Sequence, residues 1–176
     1  MALIKVNSQG ITDGTILGED INSTFDLTGK TVTLPAGVGG KVLQSKYMQS
    51  SSGTTLASTS LTDLPLTNTI TPSSASSKIF IQFFIQAKLQ NGEGYGTAIK
   101  RTISASDTTL NEMESYYCLN YTTGGEFGTP NSYMFEDSPN TTSEITYTVQ
   151  VKGNSAANIE IPNASFNSLL IMEIAV

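Results

Sequence analysis

The sequence of 176 residues contains no histidine and no tryptophan, and its only cysteine is Cys118. Without histidine, the chain cannot form the Ser-His or Cys-His pairs that activate many nucleophiles, and it has no imidazole metal ligand. A single cysteine excludes an internal disulfide. We therefore expect a protein that is not an enzyme, with no catalytic residue, no metal site and no cofactor.

Charge is also scarce, since charged residues make up 14% of the chain and the formal net charge is −6. Binding to nucleic acid needs clustered Lys and Arg, but only Lys100 and Arg101 are adjacent. No run approaches the length of about 18 apolar residues that a membrane span requires. The N-terminus also lacks the apolar region of a signal peptide. We expect a chain made in the cytoplasm that binds no nucleic acid and inserts into no membrane.

Serine and threonine are abundant instead, and three segments have the patterns of strands. Residues 78–86 place Ile79, Ile81 and Phe83 on one face, whereas the opposite face is only half apolar. Residues 144–151 alternate cleanly between apolar and polar positions. Residues 168–176 form an apolar run with one charge, Glu173, as a buried terminal strand does.

Shorter patterns and turn signals fill the rest of the chain. Weaker strands are predicted at 97–103, 116–121, 132–135 and 158–161, a loop at 50–60, and a turn or two of helix within 107–117. Regularly spaced strands separated by turns favour a sandwich over a βαβ fold. The predicted fold class is therefore all-β: one antiparallel β-sandwich of jelly-roll type, with about eight strands and an extended N-terminal arm.

The arm, residues 1–40, has too few large apolar residues for a core of its own, so the sandwich domain is predicted at 41–176. We expect the arm to gain burial by docking on a partner, and its candidate attachment residues are Leu3, Ile4, Val6, Ile11 and Ile16.

Tyr95 and Phe127 are predicted to lie in Gly-rich loops, the first of them at 92–96. They are the candidate recognition surface, because aromatic side chains on loops bind sugars and proteins. Three pairs of neighbouring acidic residues could serve glycoside hydrolysis, but a solvated loop explains each of them better. The pairs are Glu19 with Asp20, Glu112 with Glu114, and Glu136 with Asp137.

Several segments carry a resemblance to a known family. They are Gly-Lys-Val-Leu-Gln at 40–44, Ile-Thr-Pro-Ser-Ser-Ala-Ser-Ser-Lys-Ile at 70–79, Asp-Ser-Pro-Asn-Thr-Thr-Ser at 137–143, and Leu-Ile-Met-Glu-Ile-Ala at 170–175. On these segments the chain resembles the C-terminal β-sandwich domain of phage virion structural proteins such as tail fibres and capsid fibres. Residues 25–35 also look like a connector of such proteins.

The resemblance implies a virion component, assembled in the host cytoplasm, that is a homotrimer and contacts other virion proteins through its arm. It brings no catalytic motif. The first hypothesis is a fibre or spike-like module that contacts host surface polysaccharide. The second is a capsid decoration protein anchored to the shell by its arm, which the shortness of the segment before the domain favours. The third and least favoured is a polysaccharide depolymerase.

Overall fold

The computed structural model describes residues 41–90, 92–114, 118–119, 125, 127–155, 159–162 and 167–176, with the backbone alone described at 118–119. This part of the chain contains β-strands and no helix, so no helix in it could cross a membrane. The strands are β1 (Val42–Ser50), β2 (Thr54–Leu56), β3 (Thr62–Ile70), β4 (Lys78–Leu89), β5 (Gly94–Ile103), β6 (Ser106–Leu110), β7 (Cys118–Leu119), β8 (Phe127–Asp137), β9 (Ile145–Gly153), β10 (Ile159–Ile161) and β11 (Asn167–Ile174). The predicted arm and its five attachment residues lie outside the described residues.

The strands form two antiparallel sheets. Sheet I has the order β1-β11-β4-β10-β2, and β8 pairs with the other edge of β4. Strands β1 and β2 share one strand position of the sheet, and their partners β11 and β10 share the neighbouring position. Sheet I therefore has four strand positions, with β4 flanked on both sides.

Sheet II has the order β3-β9-β5-β6, with β7 pairing beside β6 on the same edge of β5. It also has four positions. We count β1 with β2, β6 with β7, and β10 with β11 as one position each, which gives eight positions along the chain. In this numbering the order in sheet I is 1-8-3-6 and the order in sheet II is 2-7-4-5. The chain changes sheet at every connection except the one between positions 4 and 5. This order supports the jelly-roll prediction, because a jelly roll interleaves eight strands between two sheets.

The core lies between the two sheets and follows the predicted alternation. Along β4 every second residue from Ile79 to Leu89 is buried, and the residues between them are half-buried. Ile145, Tyr147, Val149 and Val151 of β9 face them with no exposed surface. Side chains of a strand point alternately to opposite faces, so both runs place one apolar face inward. The predicted all-β antiparallel sandwich is confirmed.

Strands β5 and β6 form a hairpin whose loop is Ser104 and Ala105, because Ile103 pairs with Ser106. Both loop residues have positive φ, at 48° and 65°. Two positive φ values match a type I′ turn, which suits the twist of a hairpin but favours Asn and Gly. The sequence Ser-Ala gives no such signal, and the turn was not predicted.

Three local predictions are wrong. A helix was expected within 107–117, but residues 106–110 form strand β6 beside β5, and 111–114 contain no helix. The loop expected at 50–60 contains β2, which pairs with β10. The glycine-rich segment 92–96 is a loop only in part, since Gly94 begins β5. In each case pairing with a strand distant in sequence overrides the local pattern.

Candidate interaction surface

The outer face of sheet I carries apolar side chains where solvent would be expected to favour polar ones. Strand β4 presents Phe80 and Phe84 outward, and both are half-buried. In β11, Met172 lies opposite Phe80 and Leu170 lies opposite Gln82. These residues occupy adjacent strands on the same side of the sheet, and Gln82 lies between them.

Two exposed residues on the flanking strands extend this patch. Met134 of β8 lies opposite Gln82 and is 57% exposed, and Tyr47 of β1 lies opposite Leu170 and is 63% exposed. We name the patch the apolar face and define it as Tyr47, Phe80, Phe84, Met134, Leu170 and Met172. Large exposed apolar patches mark interaction sites on soluble proteins.

Charge on this side of sheet I is confined to its two ends. Lys78 forms an ion pair with Glu136 at one end of β4. Lys88 forms one with Glu160 at the other end, with 3.2 Å between Nζ and Oε2. The other outward positions of the described strands of sheet I are uncharged. The centre of the face is therefore uncharged, and its ends are charged but balanced.

The outer face of sheet II has the opposite character. Six threonines of its strands point outward, and they are Thr67, Thr69, Thr102, Thr109, Thr146 and Thr148. Lys152 Nζ lies 2.6 Å from Glu112 and 3.1 Å from Glu114, and the hydrogen bond to Glu112 contributes most to the raised pKa of the lysine. Lys100 forms an ion pair with Asp63. This face is polar and charged, in contrast to the apolar face.

Of the predicted recognition pair, only Phe127 lies at the surface. It is 52% exposed at the start of β8. Tyr95 is fully buried in β5, and its hydroxyl donates a hydrogen bond to the carbonyl of Thr129 at 3.0 Å. The prediction that Tyr95 belongs to an exposed recognition surface is wrong, because Gly94 and Gly96 flank it within a strand and not within a loop.

The acidic residues considered for catalysis lie beside cations wherever they are described. Glu112 and Glu114 share Lys152, and Glu136 binds Lys78. The pair Glu19 with Asp20 lies outside the described residues. No group of three or more potential metal ligands occurs among the described residues.

Asp137 belongs to a network that joins the two sheets. Arg101 Nη1 of β5 donates hydrogen bonds to both of its carboxylate oxygens, at 2.8 and 3.0 Å. The hydroxyl of Tyr147 in β9 donates to Oδ2 at 2.7 Å. Burial, and then the hydrogen bond to Asp137, raises the pKa of Tyr147. The network links β8 of sheet I to two strands of sheet II, so its role is to hold the sandwich together.

A second buried carboxylate, Glu173, organises one end of the sandwich. Its Oε1 accepts hydrogen bonds from the backbone N and from Oγ of Ser73, both at 2.7 Å, and its Oε2 accepts one from Gln44 at 2.7 Å. Gln44 also donates to the carbonyl of Thr71. Burial alone would raise the pKa of Glu173, but the hydrogen bonds from Gln44 and Ser73 lower it to about 2.

Three of the four segments that carry the family resemblance meet at this carboxylate. Gln44 belongs to the first, Ser73 to the second and Glu173 to the last. The remaining segment, 137–143, begins at Asp137, which pairs with Ile79 of the second. These residues are distant in sequence, and their alternation alone could not have shown that they meet. Their position makes them part of the framework.

The apolar face was only partly anticipated. The sequence predicts that the second face of 78–86 is partly covered, since Phe80 and Phe84 lie there, and that signal was correct. The sequence could not place Leu170, Met172 and Met134 on the same face, because it does not show which strands flank β4.

Comparison with known proteins gives little further direction. No protein-family model matches the chain, and no curated protein sequence matches it significantly. Among solved structures, the chain resembles the VP2 subviral particle protein of infectious bursal disease virus, with a TM-score of 0.36 at 10% identity, over 88% of this chain and 48% of that one. A mutant VP2 of the same virus gives a TM-score of 0.34 at 10% identity, over 98% and 51%. The chain thus spans about half the length of these proteins. TM-scores below 0.5 do not establish a shared fold, so function is argued from this chain's own residues.

Proposed function

We propose that this chain is a structural component of a bacteriophage particle, which acts by binding other proteins and not by catalysis. The observation that carries the proposal is the convergence of three of the four resemblance segments on Glu173. The segment 70–79 contains the connection from β3 to β4. Hydrogen bonds of Gln44 and Glu173 join β1 and β11 to this connection. A resemblance located in the framework supports a shared architecture, and hence a shared structural role.

The two unlike outer faces suggest how such a module is used. The polar face of sheet II can remain in water, while the apolar face of sheet I gains from being covered. A particle component needs both properties, since it is attached on one side and displayed on the other. The arm, residues 1–40, supplies a further contact with virion proteins in this proposal, and the resemblance implies three copies.

Display as a fibre or spike-like module that contacts host surface glycans is the first form of the proposal. Two exposed aromatic residues on β8, Phe127 at 52% and Tyr133 at 39%, support it. The second form is a capsid decoration protein anchored by its arm. The ion pairs of Glu112, Glu114 and Glu136 favour either form over a depolymerase, which needs free carboxylates that face each other across a cleft.

Immunogold labelling of intact particles tests the role and separates its two forms. Label on the tail supports the fibre form, and label on the capsid supports the decoration form. Particles from a phage that lacks the gene provide the control. Absence of the protein from purified wild-type particles would refute the structural role in both forms. Glycan-array binding that is lost in Phe127→Ala would add support for glycan contact.

A further inference from the structure

We propose that the outer edge of β8 binds an extended strand of another virion protein, which lengthens sheet I by one strand position. The inference rests on the proposed structural role, since it names a contact that holds the chain in the particle. It depends on three observations. Strand β8 is paired along one edge, its side chains are exposed on both faces of the sheet, and the other edge strands carry features that hinder pairing.

Strand β8 is an edge strand of sheet I. Each of its residues from Phe127 to Asp137 lies opposite a residue of β4, and no other strand of the described residues pairs with it. In the part of the chain that the structure describes, the N–H and C=O groups of its outer edge therefore have no strand partner. Such a row of backbone groups matches the backbone of a second extended chain, and many peptides bind to proteins in this way. The outer edge therefore fits a polypeptide strand.

Side chains of β8 are uncovered on both faces of the sheet. Tyr133 lies on the core-facing side opposite Phe83, but it is 39% exposed whereas Phe83 is 2% exposed. Met134 lies on the outer side and is 57% exposed. A protein that docks on one face would leave the other face bare. A neighbouring strand covers both, because its side chains also alternate. We therefore expect a segment with apolar residues on both of its faces.

The sequence of β8 sets the length and the charge of this segment. Residues 127–135 are uncharged. The two acidic residues that follow, Glu136 and Asp137, already form ion pairs within the chain. Pro130 has no N–H group to donate, so we place the new pairing at residues 131–136. The bound segment is therefore expected to be uncharged and about as long as this stretch.

The other edge strands carry features that natural proteins use against pairing. On β1, Lys46 lies opposite the buried Ile171, so its charge is on the core-facing side. On β3, Pro65 lies within an irregularity of the pairing with β9. Strands β2, β6 and β7 have five residues or fewer. Edge pairing between copies would therefore join β8 to β8 across a two-fold axis, which does not fit three copies. This favours another virion protein as the source of the strand.

Hydrogen exchange of backbone amides, compared between the isolated full chain and purified particles, tests the proposal. We expect alternate amides within 131–136 to exchange at least about ten-fold more slowly in particles, because a new antiparallel strand bonds to every second residue of β8. Amides of β3 should exchange equally in both samples. Unchanged exchange at 131–136 in particles that contain the protein would overturn the proposal and leave the structural role intact. Protection that grows with the concentration of the isolated chain would identify a second copy as the donor, and would also overturn it.

Tyr133→Lys tests the same edge by mutation, because it places a lysine on the core-facing side of β8, as Lys46 stands on β1. When the variant is supplied to a phage that lacks the gene, purified particles should contain at least about ten-fold less of it than of the wild-type chain. Thr69→Lys is the matched control, since it adds the same charge at an exposed position of β3, and its incorporation should equal that of the wild type.

Far-UV circular dichroism checks that both variants fold. A folded Tyr133→Lys chain that enters particles as well as the wild type would overturn the proposal. If this variant does not fold, the exchange of residues 131–136 in wild-type particles decides. Absence of the wild-type chain from particles would instead refute the structural role itself.

Discussion

Glu173 offers the sharpest test of how the framework is held together. Hydrogen bonds lower the pKa of its buried carboxyl from 4.5 to about 2, a shift of 4.5 − 2, or about 2.5 units. At about 1.4 kcal/mol per unit, the ionised form stabilises the fold by roughly 3 kcal/mol at neutral pH. Glu173→Gln keeps the size and one acceptor oxygen, so we expect it to lower the free energy of unfolding by roughly 2 kcal/mol.

The pH dependence gives this prediction its specificity. Because the folded pKa lies below the unfolded value, the stabilisation is complete above about pH 4.5 and is lost as the pH falls towards 2. By about pH 3 the wild-type protein should have lost roughly 2 kcal/mol of it. The difference between wild type and Glu173→Gln should therefore shrink from roughly 2 kcal/mol at pH 7 to almost nothing at about pH 3.

Urea denaturation followed by far-UV circular dichroism at several pH values measures this difference. Glu144→Gln is the matched control, because Glu144 is an exposed carboxylate just before β9. Its effect should stay within about 0.5 kcal/mol at each pH. A difference between wild type and Glu173→Gln that is the same at every pH would refute the assigned role of the carboxylate.

Two further predictions concern the backbone. The joint substitution of Ser104→Asn and Ala105→Gly should raise the free energy of unfolding by roughly 1 kcal/mol, because both positions have positive φ and Asn-Gly suits a type I′ turn. Urea denaturation measures this change. A loss of stability would contradict the turn assignment. Gly153→Ala should cost about 1–3 kcal/mol, because its Cβ would lie 2.7 Å from the carbonyl oxygen of Ser155 and 2.9 Å from Ile159 Cδ1. Gly128→Ala is the control, since its Cβ would meet only the flexible end of Gln86 at 3.2 Å. Equal thermal unfolding midpoints for the two alanine variants would contradict the packing at Gly153.

Sequence reasoning was most accurate where one strand face is buried along its whole length. β4 and β9 alternate between inside and outside, and this alternation is visible in the residues themselves. It was least accurate at the start of β5, where six consecutive residues from Gly94 to Ile99 are buried and no alternation appears. Residues 94–96 of that segment were interpreted as a loop, and Tyr95 was misplaced with them.

The candidate surface shows the same division. Phe80 and Phe84 could be placed on one face from their spacing alone, and Phe127 was correctly expected at the surface. Leu170 and Met134 join that face only because β11 and β8 pair with opposite edges of β4. The helix expected within 107–117 failed for a related reason, since pairing with β5 holds 106–110 extended.

The amino-acid sequence by itself determined that the chain forms strands and which face of its main strands lies inside, because side-chain alternation is a local property of the backbone. Only the tertiary structure decided which strands are neighbours, and so which residues share an outer face or meet at Glu173. Strand pairing joins residues more than a hundred positions apart, such as Gln44 and Glu173. Their contact depends on the path of the whole chain, which no local pattern records.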